Sequence, residues 1–378
     1  MTDLVRQEIA TSAQLIVVKV GTRVLTCSDG RLNPDYVQRL AEEIYTLRTQ
    51  GRRIVLVSSG AVGAGMSHLG LSSRPTDLAK LQAVAAVGQA KLIDQYDRHF
   101  STHGVHAAQV LLTGDDLDDR TRYLNVRNTI LALLELDTVP IINENDTVAV
   151  DELMTTFGDN DRLAALVTNL LRAPLLVILS DVEGLYDRAP ADANAKMIST
   201  VHQVDEKVIS LVRDGDNKLS KGGMASKLEA ARIATKAGEN VIIASGHKAG
   251  VLQGICRGEV IGTLFMAQGK TISPWKRWIG FSAQTRGNFV LDDGASQAIT
   301  KNGRSLLPIG IVRVEGHFVK GDVISLRNIA GVEIARGLTN YDSREAAQIA
   351  GKQSGCIAEI LGYCPYAEAI HRDNMFVL

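Results

Sequence analysis

The first two-thirds of the chain alternate short, unbroken apolar runs with longer segments of helical period, and this alternation narrows the fold more than any other feature. Residues 15–20 (LIVVKV), 54–57 (IVLV), 105–112 (VHAAQVLL), 138–142 (TVPII), 175–179 (LLVIL) and 241–244 (VIIA) read as strands. Between them, 34–49, 78–100, 121–136, 161–171 and 224–237 carry apolar residues at helical spacing. Strands alternating with helices predict a mostly parallel sheet sandwiched between helices. The strand runs are continuously apolar, as burial on both faces requires. In such sheets ligands bind beyond the carboxyl ends of the strands. Gly21, Ser58-Ser59-Gly60, Asn143-Glu144-Asn145-Asp146 and Ser180-Asp181 all fall there.

The pattern changes near 267–277 (AQGKTISPWKR). Short runs at 287–291, 309–314, 322–327 and 332–337 follow, separated by glycine turns, with small helices near 294–302 and 343–350. They predict a small β-rich, barrel-like second domain. The expected layout is 1–267 for the α/β domain, 268–277 for a linker and 278–378 for the β-rich domain.

The chain has 41 Lys plus Arg against 42 Asp plus Glu, and residues 279–378 balance at ten of each. That balance speaks against a general electrostatic grip on nucleic acid or an anionic membrane. No stretch approaches the roughly 18 apolar residues of a membrane span, and residues 1–14 lack an apolar leader core. The four cysteines form no CxxC pair, and the eight histidines lack metal-ligand spacing, so no metal site is expected from them. A cytoplasmic protein is the expectation. Two apparent nucleotide motifs fail on inspection. Gly269-Lys270-Thr271 has Leu264 where a P-loop needs its first glycine, and GAVGAG at 60–65 is not GxGxxG.

Chemistry concentrates at the strand ends. Lys19 interrupts an apolar strand, which is costly unless its ammonium emerges at the end; Gly21 beside it allows close backbone approach. A lysine snorkelling at the sheet rim would look the same. Ser58-Ser59-Gly60 leads into a helix and suits an anion at that helix N-terminus, although capping alone explains it equally well. The runs Asn143-Glu144-Asn145-Asp146 and Gly158-Asp159-Asn160-Asp161 carry more carboxylates than capping needs, and an ammonium on the ligand would account for them. Lys221-Gly222-Gly223-Met224-Ala225-Ser226-Lys227 is glycine-rich and basic and opens a helix, a combination that suits phosphate. The set describes a phosphate-bearing ligand at one end and an amino-acid-like ligand at the other, an arrangement suited to phosphoryl transfer.

With these motifs in place, the chain resembles the glutamate 5-kinases of the amino acid kinase superfamily, with a C-terminal PUA domain. The carrying segments are VKVGT at 18–22, VSSGA at 57–61, INEND at 142–146, GDND at 158–161, SDVEGLY at 180–186 and GGM at 222–224, together with HRD at 371–373. The resemblance implies ATP-dependent phosphorylation of the γ-carboxylate of L-glutamate, the first step of proline synthesis, with proline as inhibitor. It assigns Lys19 and Lys227 to the transferring phosphoryl and Asp161 to holding those lysines. It assigns Ser59, Asp146 and Asn160 to glutamate. Lys19, Ser180, Asp181, Lys221, Gly222, Gly223, Met224, Ala225, Ser226 and Lys227 fall to ATP, whose phosphates bring Mg²⁺. It also implies a homo-oligomer, dimer or tetramer, and raises glutamyl phosphate reductase as a partner. Lys221 and Ala225 depart from the threonine and serine frequent at those positions, but neither change removes a backbone amide. Kinases of N-acetylglutamate, aspartate, carbamate or UMP share the Lys-x-Gly start and stand as rivals, as does RNA binding through the PUA-like domain.

Overall fold

The computed structural model describes residues 3–149, 159–189, 192, 194–213, 220–268 and 273–378; the side chains of residues 159, 213, 220–222 and 274 lie outside that description. Gly158 and the side chains of Asp159 and Lys221, singled out above, therefore fall outside the described residues. Contacts divide the chain into two units: Met1–Leu117 with Thr121–Thr271, and Asp118–Arg120 with Ile272–Leu378.

The strands of the first unit are β1 (Leu15–Val20), β2 (Arg53–Ser58), β3 (Ala107–Leu112), β4 (Val139–Glu144), β5 (Leu175–Ser180), β6 (Thr200–Val201), β7 (Asn240–Ser245) and β8 (Thr263–Phe265). They form one sheet in the order β3-β4-β2-β1-β5-β7-β8-β6. Every pairing from β3 through β7 is parallel. β8 runs antiparallel to β7, and β6 pairs parallel with β8, so these last two strands are both reversed. The expected mostly parallel sheet is present. The β8 reversal escapes sequence reading because three residues are too few to show a period. β1, β4 and β5 are buried along their whole length, which explains why they are apolar up to the polar residues near their carboxyl ends. Pro140 sits inside β4, where a missing N–H would break a ladder. The ladder with β2 begins one residue later, at Ile141, so no pairing there is lost.

Helices cover the sheet, and local chemistry sets their starts. Asn33 caps Pro34–Thr49 by accepting from the Tyr36 amide, with proline at the first helical position. Asp77 caps Leu78–Ser101 through the Lys80 amide. The helix Ala61–Leu69 packs on Leu78–Ser101 through glycine. A Cβ at Gly88 would lie 1.7 Å from the Ala61 carbonyl oxygen, and one at Gly65 would lie 2.0 Å from that of Val84. Only glycine permits so close a crossing. It seats Ser59 and Gly60, at the mouth of Ala61–Leu69, beside the long helix. Gly60 itself takes φ 104°, the left-handed turn from strand to helix.

The second unit has its own five-stranded sheet: β9 (Gly287–Leu291), β10 (Ile311–Gly316), β11 (Val323–Arg327), β12 (Glu333–Leu338) and β13 (Met375–Val377), in the order β10-β9-β11-β12-β13. Phe289, Leu291, Ile324, Leu326, Tyr341 and Ile370 belong to its separate core. Its helices Asp293–Thr300 and Ser343–Ile349 start at Asp292 and at a capping box of Asp342 and Glu345. The closing strand β13, not anticipated, is again only three residues long. Among the described residues, no helix is long and apolar enough to cross a membrane.

Candidate active site

Residues at the carboxyl ends of β1, β2, β4 and β5 line one cleft of about 270 Å³. Its two ends differ in chemistry.

At one end Lys19 reaches in from β1 and Lys227 from the helix Ser220–Ala237. Both meet Asp161, in the first turn of the helix Asp159–Leu171. Lys19 Nζ stands 2.7 Å from Asp161 Oδ1, and Lys227 Nζ stands 3.2 Å from Oδ2. Ser226 Oγ also donates to Asp161 Oδ2 at 2.8 Å. Lys227 donates to the Gly223 carbonyl one helical turn back at 3.0 Å. Exposure is 5 % for Lys19, 0 % for Asp161 and 9 % for Lys227. Burial opposes ionisation of Asp161, but Lys19, Lys227 and Ser226 outweigh it and hold the carboxyl below the usual carboxylate range. Burial, aided by repulsion from Lys19, lowers the Lys227 ammonium against the pull of Asp161. Two ammonium groups around one carboxylate leave a net positive pole aimed into the cleft. Such a pole is preorganised to stabilise charge on a transferring phosphoryl group.

At the other end lies Asp146, just beyond β4 and 4 % exposed. Gln89, on the long helix, donates to its Oδ2 at 3.1 Å and to the Glu144 carbonyl at 3.3 Å. Burial raises the Asp146 carboxyl to about 6, despite the Gln89 bond and nearby Arg74. Asn160 donates to Ser59 Oγ at 2.9 Å and to Asn143 Oδ1 at 3.1 Å, tying the β2 end to the β4 end. On a further wall Ser180 donates to Asp181, which pairs with Arg23 at 3.0 Å.

Of the residues expected at the site, Lys19, Ser59, Asp146, Asn160, Asp161, Ser180, Asp181, Gly223, Ser226 and Lys227 line this cleft. Met224 and Ala225 do not line it. The helix expected from Met224 starts earlier, at Ser220, so the glycine-rich segment forms its first turns rather than a preceding loop. Sequence reasoning did not choose Gln89, Arg74, Arg23 or Thr22. Asn143 belongs to the polar run at 143–146, whereas Gln89 lies mid-helix with no motif around it.

The sheet and the cleft define a phosphoryl-transfer enzyme of amino acid kinase type. Residues 14–245 match the model of the amino acid kinase family and residues 287–361 that of the PUA domain. A glutamate 5-kinase of Rhodopirellula baltica is 50 % identical across 98 % of this chain and 95 % of its own length. Glutamate 5-kinases of Moorella thermoacetica and Methylococcus capsulatus are each 46 % identical, covering 97 % and 95 % of this chain and 97 % and 96 % of their own lengths. The chain belongs to the glutamate 5-kinase family.

Proposed function

We propose that this chain transfers the γ-phosphoryl group of ATP to the γ-carboxylate of L-glutamate, giving L-glutamyl 5-phosphate and ADP, the entry to proline synthesis. The supporting observation is the pair of buried lysines from distant parts of the chain, held on Asp161 at one end of a cleft whose other end is acidic. In this reading the glutamate γ-carboxylate oxygen attacks the γ-phosphorus as the bond to the bridging oxygen breaks and ADP leaves. The nucleophile is already ionised at neutral pH, so no general base is required. Lys19 and Lys227 neutralise the moving charge, while Asp161 acts as a positioning residue that keeps both ammonium groups in place. Ser59, Asn160 and Asp146 hold glutamate, with Asp146 taking its ammonium. Ser180, Asp181 and the helix turns from Lys221 to Lys227 hold ATP.

Mg²⁺ supplies charge neutralisation to the phosphates in kinases of this kind. Among the described residues no group of three or more His, Cys, Asp or Glu side chains could hold a metal, and Asp161 is engaged by the lysines. The ion therefore fits as one carried on the phosphate oxygens. Proline inhibition, a dimeric or tetrameric assembly, a cytoplasmic setting and hand-off of the labile acyl phosphate to glutamyl phosphate reductase belong to the same proposal. So does the layout of a catalytic domain in 1–267 and a PUA domain in 278–378 joined by 268–277.

Hydroxamate trapping of the acyl phosphate, with Mg-ATP and a panel of L-glutamate, N-acetylglutamate, L-aspartate and carbamate, tests the reading. Signal with L-glutamate alone, suppressed by proline, is expected. Signal confined to another acid would overturn the substrate assignment.

A further inference from the structure

Glutamate presents a zwitterion at its α-carbon: an ammonium and a carboxylate attached to one atom. A site that reads both needs an anion and a cation side by side, with neither already satisfied by the other. Four cationic side chains line the cleft among the described residues: Lys19, Lys227, Arg23 and Arg74. Lys19 and Lys227 are committed to Asp161. Arg23 is paired with Asp181. Arg74 has a different setting. It makes no ion pair within 4.0 Å with Asp146, yet it lies close enough to favour the ionised form of that carboxylate. The gap between the two is where a ligand carrying both charges would sit.

The backbone around Arg74 supports this use. Residues 70–77 join the helices Ala61–Leu69 and Leu78–Ser101, which pack in close contact at Gly65 and Gly88. Pro75 follows Arg74 and biases it toward an extended backbone. The guanidinium is a planar fork suited to carboxylate recognition.

We propose that Arg74 binds the α-carboxylate of the substrate opposite Asp146, so that the two residues together select an α-amino acid by its zwitterion. This rests on the γ-carboxylate kinase reading above and extends it to the other end of the substrate. The test uses the full-length chain with Mg-ATP at pH 8, two pH units above the Asp146 carboxyl at about 6. Hydroxamate formation is compared for L-glutamate and for two acceptors lacking the α-carboxylate charge, L-glutamate α-amide and 4-aminobutyrate. Arg74→Met should raise the glutamate KM by about 10–100-fold, the range set by losing one charge-assisted bond. It should leave kcat/KM for the two other acceptors and KM for ATP within about twofold, so that preference for glutamate collapses. Arg74→Lys should restore part of that preference. An unchanged ratio of glutamate to α-amide, or an equal loss for all acceptors, would overturn the assignment. If the wild-type chain gives no product with L-glutamate while another acid does, the kinase reading itself fails and the Arg74 assignment goes with it.

Discussion

Asp161 and Asp146 are both buried in one cleft, 0 % and 4 % exposed, yet burial has opposite outcomes for them. Asp161 faces two ammonium groups and a hydroxyl, and its carboxyl is driven below the usual range. Asp146 receives one amide hydrogen bond from Gln89, and its carboxyl rises to about 6. The first aspartate is complete before any ligand arrives, as preorganised transition-state electrostatics require. The second is left short of positive charge, and an incoming ammonium would complete it. The fold therefore assigns its internal pairing to the phosphoryl end and keeps its unmet electrostatic demand for the substrate end.

Asp161→Asn is the most severe way to break that contrast. It leaves two lysines buried without their counter-charge, and removing one partner from a buried ion pair costs about 3–5 kcal/mol. We expect kcat to fall by roughly 10³-fold or more, together with a lowered denaturation midpoint. Lys227→Met sharpens the point, because Lys19 still compensates Asp161. Turnover should again be lost, while ATP binding, followed by calorimetry, persists and stability falls less than in Asp161→Asn. Near-normal kcat in Lys227→Met would remove that lysine from the reaction.

Asp146→Asn should act in the opposite direction on stability. The native carboxyl titrates near 6 against an ordinary 3.8. Below 3.8 both folded and unfolded chains hold the proton, and the group contributes nothing. Between 3.8 and about 6 only the folded chain holds it, so stability declines as pH rises. Above 6 the cost is complete, about 3 kcal/mol for a carboxyl moved from 3.8 to about 6. Replacing the carboxylate by an amide should recover up to that amount at pH 8 and almost none at pH 4. The same variant should raise the glutamate KM by about 10–100-fold while leaving the ATP KM near its original value. A stability gain that does not depend on pH would contradict the assignment of burial as the cause.

The parts of this molecule that could be read from the sequence are those whose chemistry is local. β1, β4 and β5 declare themselves because double-sided burial keeps them apolar until the polar residues near their carboxyl ends, Lys19, Asn143 and Ser180. Polar runs at their carboxyl ends mark the cleft for the same reason: a parallel sheet gathers those ends together. Gln89 and Arg74 were not legible. Gln89 lies in the middle of a helix with no motif around it, and its bond to Asp146 spans 57 residues of sequence. Arg74 sits between the helices Ala61–Leu69 and Leu78–Ser101, where the sequence offers only a following proline. Neither position follows from a motif; both are set by contacts between segments distant in the chain.

The smallest effect expected is also the most direct probe of the unmet charge at Asp146. An ammonium binds the ionised carboxylate and gains little from the protonated one, so glutamate affinity should follow the titration of that group. With a carboxyl near 6, the glutamate KM should be flat from pH 7 to 8, rise about twofold at pH 6 and reach about tenfold at pH 5. The ATP KM, measured on the same samples, serves as the internal reference, and the comparison with Asp146→Asn isolates the contribution of that carboxyl. Asp146→Asn should remove the glutamate-specific rise altogether, leaving a weak but pH-independent KM. A wild-type profile that stays flat down to pH 5, or one that survives in the variant, would mean that the substrate ammonium is held elsewhere and that the two aspartates do not divide the cleft in this way.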